Sequence, residues 1–253
     1  MQRSPSLGGP GRGVRRMAPT RAAATQPYAT YALIAVNLLV FALCVLQSGV
    51  GDPGGASIFS AGDLLKSDVA SGEYWRLLTA GFLHFSVMHV AVNMLSLYIL
   101  GRDLELALGI GRYLAVYGIA LLGGSAAVML FEDDRALTAG ASGAIYGLMG
   151  AMLVIVLKAR VSPVPVLLII GFNVVLSFSL PGISVLGHLG GLVFGAAATA
   201  AIVYLPDAVL PAGRRNPRAV SRVGWIALAA LAVIAVGLGI GAGLAYDGLT
   251  YIR

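Results

Sequence analysis

The chain has 253 residues, 58% of them hydrophobic and only 11% charged, with a formal net charge of +6. A soluble domain carries roughly 25% charged residues, so this composition excludes a soluble globule and requires a bilayer around its long apolar runs. The single cysteine, Cys44, excludes an intramolecular disulfide and a cysteine-based zinc finger.

Residues 1–27 are rich in Gly, Pro, Ala and Arg with almost nothing to bury, and they read as a disordered basic tail. The first apolar run, 31–46, is followed by no small-residue cleavage site, so it is expected to remain as an uncleaved span. Leu43 stands before Cys44 where a lipidation motif wants a small residue. Residues 47–86 form a loop too long to lack local structure. Short helices lying partly in the outer leaflet are expected there, with Tyr74-Trp75-Arg76 as an aromatic and cationic anchor at headgroup depth. Five apolar runs follow at 87–100, 113–130, 141–157, 164–178 and 185–204, then a basic linker at 206–222 and a last run at 223–245. Several fall short of the ~20 residues a lipid-facing helix needs, which suits helices whose ends meet water inside a bundle. The predicted fold is an all-α polytopic membrane bundle: a six-span core over 28–205, and a seventh transmembrane helix with a short outer tail over 223–253.

Charge placement tests that topology. With the N-terminus in the cytoplasm, 13 of the 17 Lys and Arg residues fall inside. Only Lys66, Arg76, Arg135 and Arg253 fall outside. This positive-inside bias predicts an external C-terminus and an inner 206–222 linker. It also accounts for the basic pI without nucleic acid as a partner.

The polar residues inside the apolar runs share one depth. His89 and Asn93 are four apart on one helical face near the outer end of the second span. Ser142 opens the fourth span, and His188 lies near the outer end of the sixth. One such residue alone would be read as helix glue; four from three helices on one level are read as a site. Ser142 stands in Gly140-Ala141-Ser142-Gly143-Ala144-Ile145-Tyr146-Gly147. Neighbours without Cβ atoms, Gly140 among them, let a substrate carbonyl approach, and the free N–H groups of a first turn stabilise an oxyanion. A serine nucleophile needs a base. Lys66 lies in the outer loop and Lys158 at the opposite end of the span, which leaves His188. Gly187, Gly191 and Gly195 on one helix, and Gly143 and Gly147 on the other, form small-residue faces that allow close backbone approach. No carboxylate presents itself as a third member, so the expected unit is a Ser142–His188 dyad. His89 and Asn93 would donate to the oxyanion, and Tyr146, one turn below Ser142, would pack on the His188 ring. A metal site is disfavoured: no HExxH occurs and nothing completes a zinc shell around His84 and His89.

This ordered set resembles the rhomboid family of intramembrane serine proteases. The resemblance rests on Trp75-Arg76, on His84, His89 and Asn93, on Gly140 to Gly143 with Tyr146 and Gly147, and on His188 with Gly191 and Gly195. It runs from about Glu73 to Tyr204. It implies a six-helix catalytic core with Ser142 as nucleophile and His188 as general base. An oxyanion hole would form from His89, Asn93 and the Ser142 N–H, with Tyr146 stacked on His188. Arg76 and Glu105 match structural positions, and the last span matches the seventh helix that some members carry. Gly187 departs from the alanine many members have before the histidine. The implied reaction is cleavage of single-span membrane proteins near the outer face, without a cofactor, in a plasma membrane. The Ala, Gly, Val and Arg usage points to a GC-rich bacterial genome. A non-catalytic binder of membrane helices and a transporter with a polar pathway are the alternatives. The first would keep the fold without cleavage, and the second would want polar groups at several depths.

Overall fold

A computed structural model describes residues 26–179 and 182–246 of the chain. The proposed basic tail, residues 26 and 27 apart, lies outside the described residues, as does the outer tail from 247 onward with Asp247 and Arg253. The described residues are helical, with one isolated bridge between Leu64 and Thr138. In chain order the helices are α1 (Tyr28–Ser48), α2 (Ser57–Ser60), α3 (Lys66–Ala70), α4 (Arg76–Thr79), α5 (Val87–Leu108), α6 (Ile110–Phe131), α7 (Ser142–Lys158), α8 (Val164–Ser179), α9 (Val185–Val203), α10 (Leu205–Val209) and α11 (Pro217–Leu244). Each of the seven apolar runs has become one long helix. Of these, α1, α6, α9 and α11 are long and apolar enough to cross a membrane alone. α5 joins them when it is taken with the segment 76–82, from which it bends by 95°. α7 and α8 are shorter, at 17 and 16 residues. The protein is a multi-pass membrane protein.

Helix ends are set by identifiable groups. α1 has no side-chain cap of its own. The buried Glu105 carboxylate, from α5, instead accepts from the N–H groups of Ala29 and Thr30 and from the Thr30 hydroxyl, at 3.0, 2.7 and 2.8 Å. A carboxylate at a helix N-terminus is favoured by the macrodipole, so Glu105 ties the start of α1 to the end of α5. Gly109, at φ 79°, ends α5 and opens α6; only a residue without Cβ takes that conformation cheaply. α11 begins at Pro217, six residues before its apolar run. Asn216 caps it by accepting from Ala219 N–H, and Pro217 fits the first turn. α7 and α10 are joined where Lys158 bonds Asp207 at 2.8 Å. That hydrogen bond and the lysine charge hold the Asp207 carboxyl below the usual carboxylate range.

The centre of the bundle is the contact of α7 with α9, backed by α6. A Cβ at Gly191 would run into the Gly143 carbonyl, one at Gly195 into the Gly147 backbone, and one at Gly150 into the Leu192 carbonyl. α6 enters the same seam, where a Cβ on Gly124 would lie 2.8 Å from the Gly187 carbonyl oxygen. The seven apolar runs and the two glycine faces were visible in the sequence, and the structure sets those faces against each other. Gly191→Leu is expected to force α7 and α9 apart. Overpacking costs about 1–3 kcal/mol in a core that adapts, and backbone has little room to adapt. The expected outcome is a lowered unfolding temperature in detergent together with lost reactivity of Ser142, read on the same sample.

Candidate active site

The N-terminal ends of α5, α7 and α9 and the C-terminal end of α8 surround an open cavity of about 770 Å³. Gly140, Ser142, Tyr146, His188, His89 and Asn93, all six residues marked in the sequence, line it. Ser142 is the first residue of α7, preceded by Ala141 without a side-chain cap. The N–H groups of that first turn are therefore not claimed by a capping side chain. His188 stands in the first turn of α9, and its Nε2 lies 2.7 Å from Ser142 Oγ. The Tyr146 ring stacks on the imidazole with centroids 4.1 Å apart and planes 15° from parallel.

The oxyanion candidates sit across Gly140. At φ 131°, Gly140 adopts a backbone conformation closed to most side chains, and a Cβ there would lie 2.8 Å from His89 Nε2 and 3.8 Å from Ser142 Oγ. His89 and Ser142 thus face the same small volume beside Gly140. The His89 ring lies parallel to Phe85, and the buried His84 meets it edge-on at 4.9 Å. Asn93 donates one amide hydrogen to the His89 carbonyl at 3.0 Å, so its second hydrogen is free for the cavity. Among the described residues no three of His, Cys, Asp and Glu stand close enough to share a metal ion.

One contributor carried no mark in the sequence. Ser177, near the end of α8, lies 2.7 Å from His188 Nδ1 and 2.7 Å from the Tyr146 hydroxyl. The signal available was its place in the run: Ser177 falls near the C-terminal end of α8, on the same side of the bundle as the N-terminal ends of α7 and α9 that carry Ser142 and His188.

The loop over residues 47–86 holds the rim. Arg76 was expected beside Tyr74 and Trp75 at the headgroups. The two aromatic residues are indeed exposed, but Arg76 turns inward. It meets Asp63 at 2.7 Å, Asp68 at 3.2 Å and Glu73 at 2.6 Å. Three carboxylates within one short loop outweigh a water-facing position for the guanidinium. The loop so folded pairs Leu64 with Thr138 through two backbone bonds, and the Ala80 carbonyl accepts from Gly140 N–H at 2.9 Å. These bonds fix the segment that leads into Ser142. On the other side, Glu132 accepts from Ser184 Oγ at 2.8 Å, and Ser184 in turn caps α9 by accepting from Gly187 N–H.

Residues 71–205 match the rhomboid domain family. The chain is 37% identical over 209 residues to the protein named Rhomboid protease GluP of Bacillus subtilis (strain 168), which covers 81% of this chain and 39% of that one. It is 37% identical over 137 residues to RHOMBOID-like protein 6, mitochondrial, of Arabidopsis thaliana, covering 51% and 44%. It is 34% identical over 132 residues to Putative rhomboid protease YdcA of Bacillus subtilis (strain 168), covering 50% and 66%. The chain thus spans less than half the length of the first two of these relatives. Arg76→Ala would leave the Asp63 carboxylate, 5% exposed, without its counter-ion. Breaking a buried pair from one side costs about 3–5 kcal/mol. The expected outcome is a matching loss of stability in detergent unfolding and faster proteolysis within residues 57–79.

Proposed function

This chain belongs to the rhomboid family, and on that premise we propose that it is an intramembrane serine endopeptidase. Ser142 is the nucleophile and His188 the general base. The observation that carries this reading is the 2.7 Å approach of Ser142 Oγ to His188 Nε2 within a cavity at one end of an apolar bundle. A protease-named relative, 37% identical over 81% of the chain, supports it.

In the proposed reaction Oγ attacks the scissile carbonyl carbon as its proton passes to His188 Nε2. The carbonyl oxygen becomes an oxyanion, which accepts from the Ser142 N–H, His89 and Asn93. His188 then gives its proton to the departing amine, leaving an acyl-enzyme, and water entering the cavity reverses the sequence to release the acid. Tyr146 keeps the imidazole in plane through these steps. No cofactor takes part.

The substrates we propose are single-span membrane proteins that unwind locally beside the outer face. A helical amide is shielded by its own backbone bonds, so Gly, Pro or polar residues near the cut favour cleavage. The proposed topology has seven spans, six in the core and α11 after it, with the N-terminus cytoplasmic and the C-terminus external. The proposed location is the plasma membrane of a bacterium. The short α7 is consistent with this arrangement, because its N-terminal end meets a wet cavity rather than the membrane surface.

Ser142→Ala and His188→Ala, purified and reconstituted, are each expected to lose cleavage of a transmembrane reporter by about 10³-fold or more while folding normally. A fluorophosphonate probe should label the wild type and not Ser142→Ala. Undiminished cleavage by either folded variant would remove the assignment.

A further inference from the structure

We propose that Ser177 is a positioning residue that sets the tautomer of His188 and fastens α8 to the reacting pair; this rests on the protease reading of Ser142 and His188. A serine in an apolar helix commonly turns its hydroxyl back to the carbonyl four residues earlier. Ser179 does so toward Val175, at 2.8 Å, with no second side-chain bond among the described residues. Asn173 does the same with its amide, toward Ile169 at 2.9 Å. Both are exposed. Ser177 differs on both counts. It is one of two buried residues on α8, the other being Ile170, and its oxygen stands at the meeting point of three hydrogen bonds.

Those three bonds determine where each hydrogen lies. A hydroxyl has one hydrogen to donate and two lone pairs with which to accept. The Asn173 carbonyl, 2.9 Å from Ser177 Oγ, can only accept, so it takes the serine hydrogen. The Tyr146 hydroxyl and His188 Nδ1 must then both donate to Ser177. A hydrogen on Nδ1 of a neutral imidazole leaves Nε2 bare, and Nε2 is the atom 2.7 Å from Ser142 Oγ. The network thus selects the one neutral tautomer able to take the proton of Ser142. When His188 becomes an imidazolium, the Nδ1–H to Ser177 bond turns charge-assisted and strengthens. The contribution of Ser177 therefore grows as the reaction proceeds, which is the condition for an effect on kcat rather than on KM. It performs the orienting task that a carboxylate performs in a three-member arrangement, with a neutral oxygen that an apolar bundle tolerates more readily.

The protein labelled with 15N-histidine and reconstituted in lipid has three imidazoles to assign: His84, His89 and His188. Loss of one signal in His188→Gln identifies the third. At neutral to mildly alkaline pH the wild-type His188 is expected to carry its hydrogen on Nδ1. Ser177→Ala is expected to move that hydrogen to Nε2 or to give a mixture. Cleavage of the reporter should fall about 10- to 100-fold in kcat, the range for a bond to a charged group, with KM within about twofold. Ser177→Thr keeps the hydroxyl and is expected to recover most of the loss. Where alanine fails to fold, Ser177→Cys, near-isosteric and a weak acceptor, carries the same expectation. An imidazole that keeps its hydrogen on Nδ1, or kcat within about twofold of wild type, in a folded Ser177→Ala or Ser177→Cys would overturn the proposal. Were the chain not a protease, the wild type itself would be inactive, and the tautomer measurement would still read the bond between Ser177 and His188.

Discussion

Ser142 and His188 belong to different helices, and an imidazole reaches a serine hydroxyl only when the two backbones nearly touch. Everything at the site depends on that approach. It is obtained by removing Cβ atoms: Gly143, Gly147 and Gly150 on α7 lie against Gly187, Gly191, Gly195 and the α9 backbone between them, with Gly124 of α6 closing the seam. Glycine in a helix costs roughly 1 kcal/mol against alanine in water. In lipid there is no hydrophobic force to press helices together, and close packing of small faces is itself the main attraction. The residues that weaken each helix alone are thus the ones that hold the pair together.

Such a seam sets distance but not height along the axis. Height is set from outside the bundle. Glu132 receives the Ser184 hydroxyl, which caps α9 four residues before His188. Lys66 reaches Asp134 in the same stretch. The 138–140 segment is held by Leu64 and Ala80 of the 47–86 loop, and the loop is itself organised around Arg76. α11 lies behind this frame. Cβ atoms on Gly239 and Gly243 would lie 2.9 Å from Leu77 and Val69, side chains of the loop region. The seventh helix therefore presses on the structure that positions Ser142 without touching the site.

The sequence made most of this legible because a bilayer imposes strong rules. Apolar runs become helices, and all seven did, with ends displaced outward wherever a cap lay beyond the last apolar residue, as at Asn216 and Pro217. Polar residues in such runs are few, so His89, Asn93, Ser142 and His188 could be sorted by depth alone. Serines late in a span resist such sorting, because a hydroxyl can satisfy itself on its own helix. Ser177 does that and accepts from two other residues as well, and pattern alone does not separate it from Ser179. Arg76 was misplaced for a related reason. The rule that puts cations at headgroups assumes water is the best partner available, and three carboxylates nearby in the fold are a better one. The 95° bend between 76–82 and α5 left no periodic signal, since the first piece is only two turns long.

The distribution of polar groups also bears on what the bundle can carry. One cluster stands at the end that holds Ser142. A second stands at the opposite end, where Glu105 holds the start of α1. Between them the described interior is closed by Leu97, Val116, Leu148 and Ala151, each with no exposed surface. Asn37, at mid-span in α1, turns its amide back on the Leu33 carbonyl at 2.8 Å, as a buried side chain with no solvent must. A transporter needs polar groups that lead from one cluster to the other, and here the buried polar side chains between them, Asn37, Tyr117 and Thr199 among them, are scattered among apolar residues with no exposed surface. At the Ser142 end the bundle has an open recess with a largely apolar floor. The proposed hydrolysis requires that form: water must reach an acyl-serine from one side, and the barrier between compartments must stay sealed beneath it.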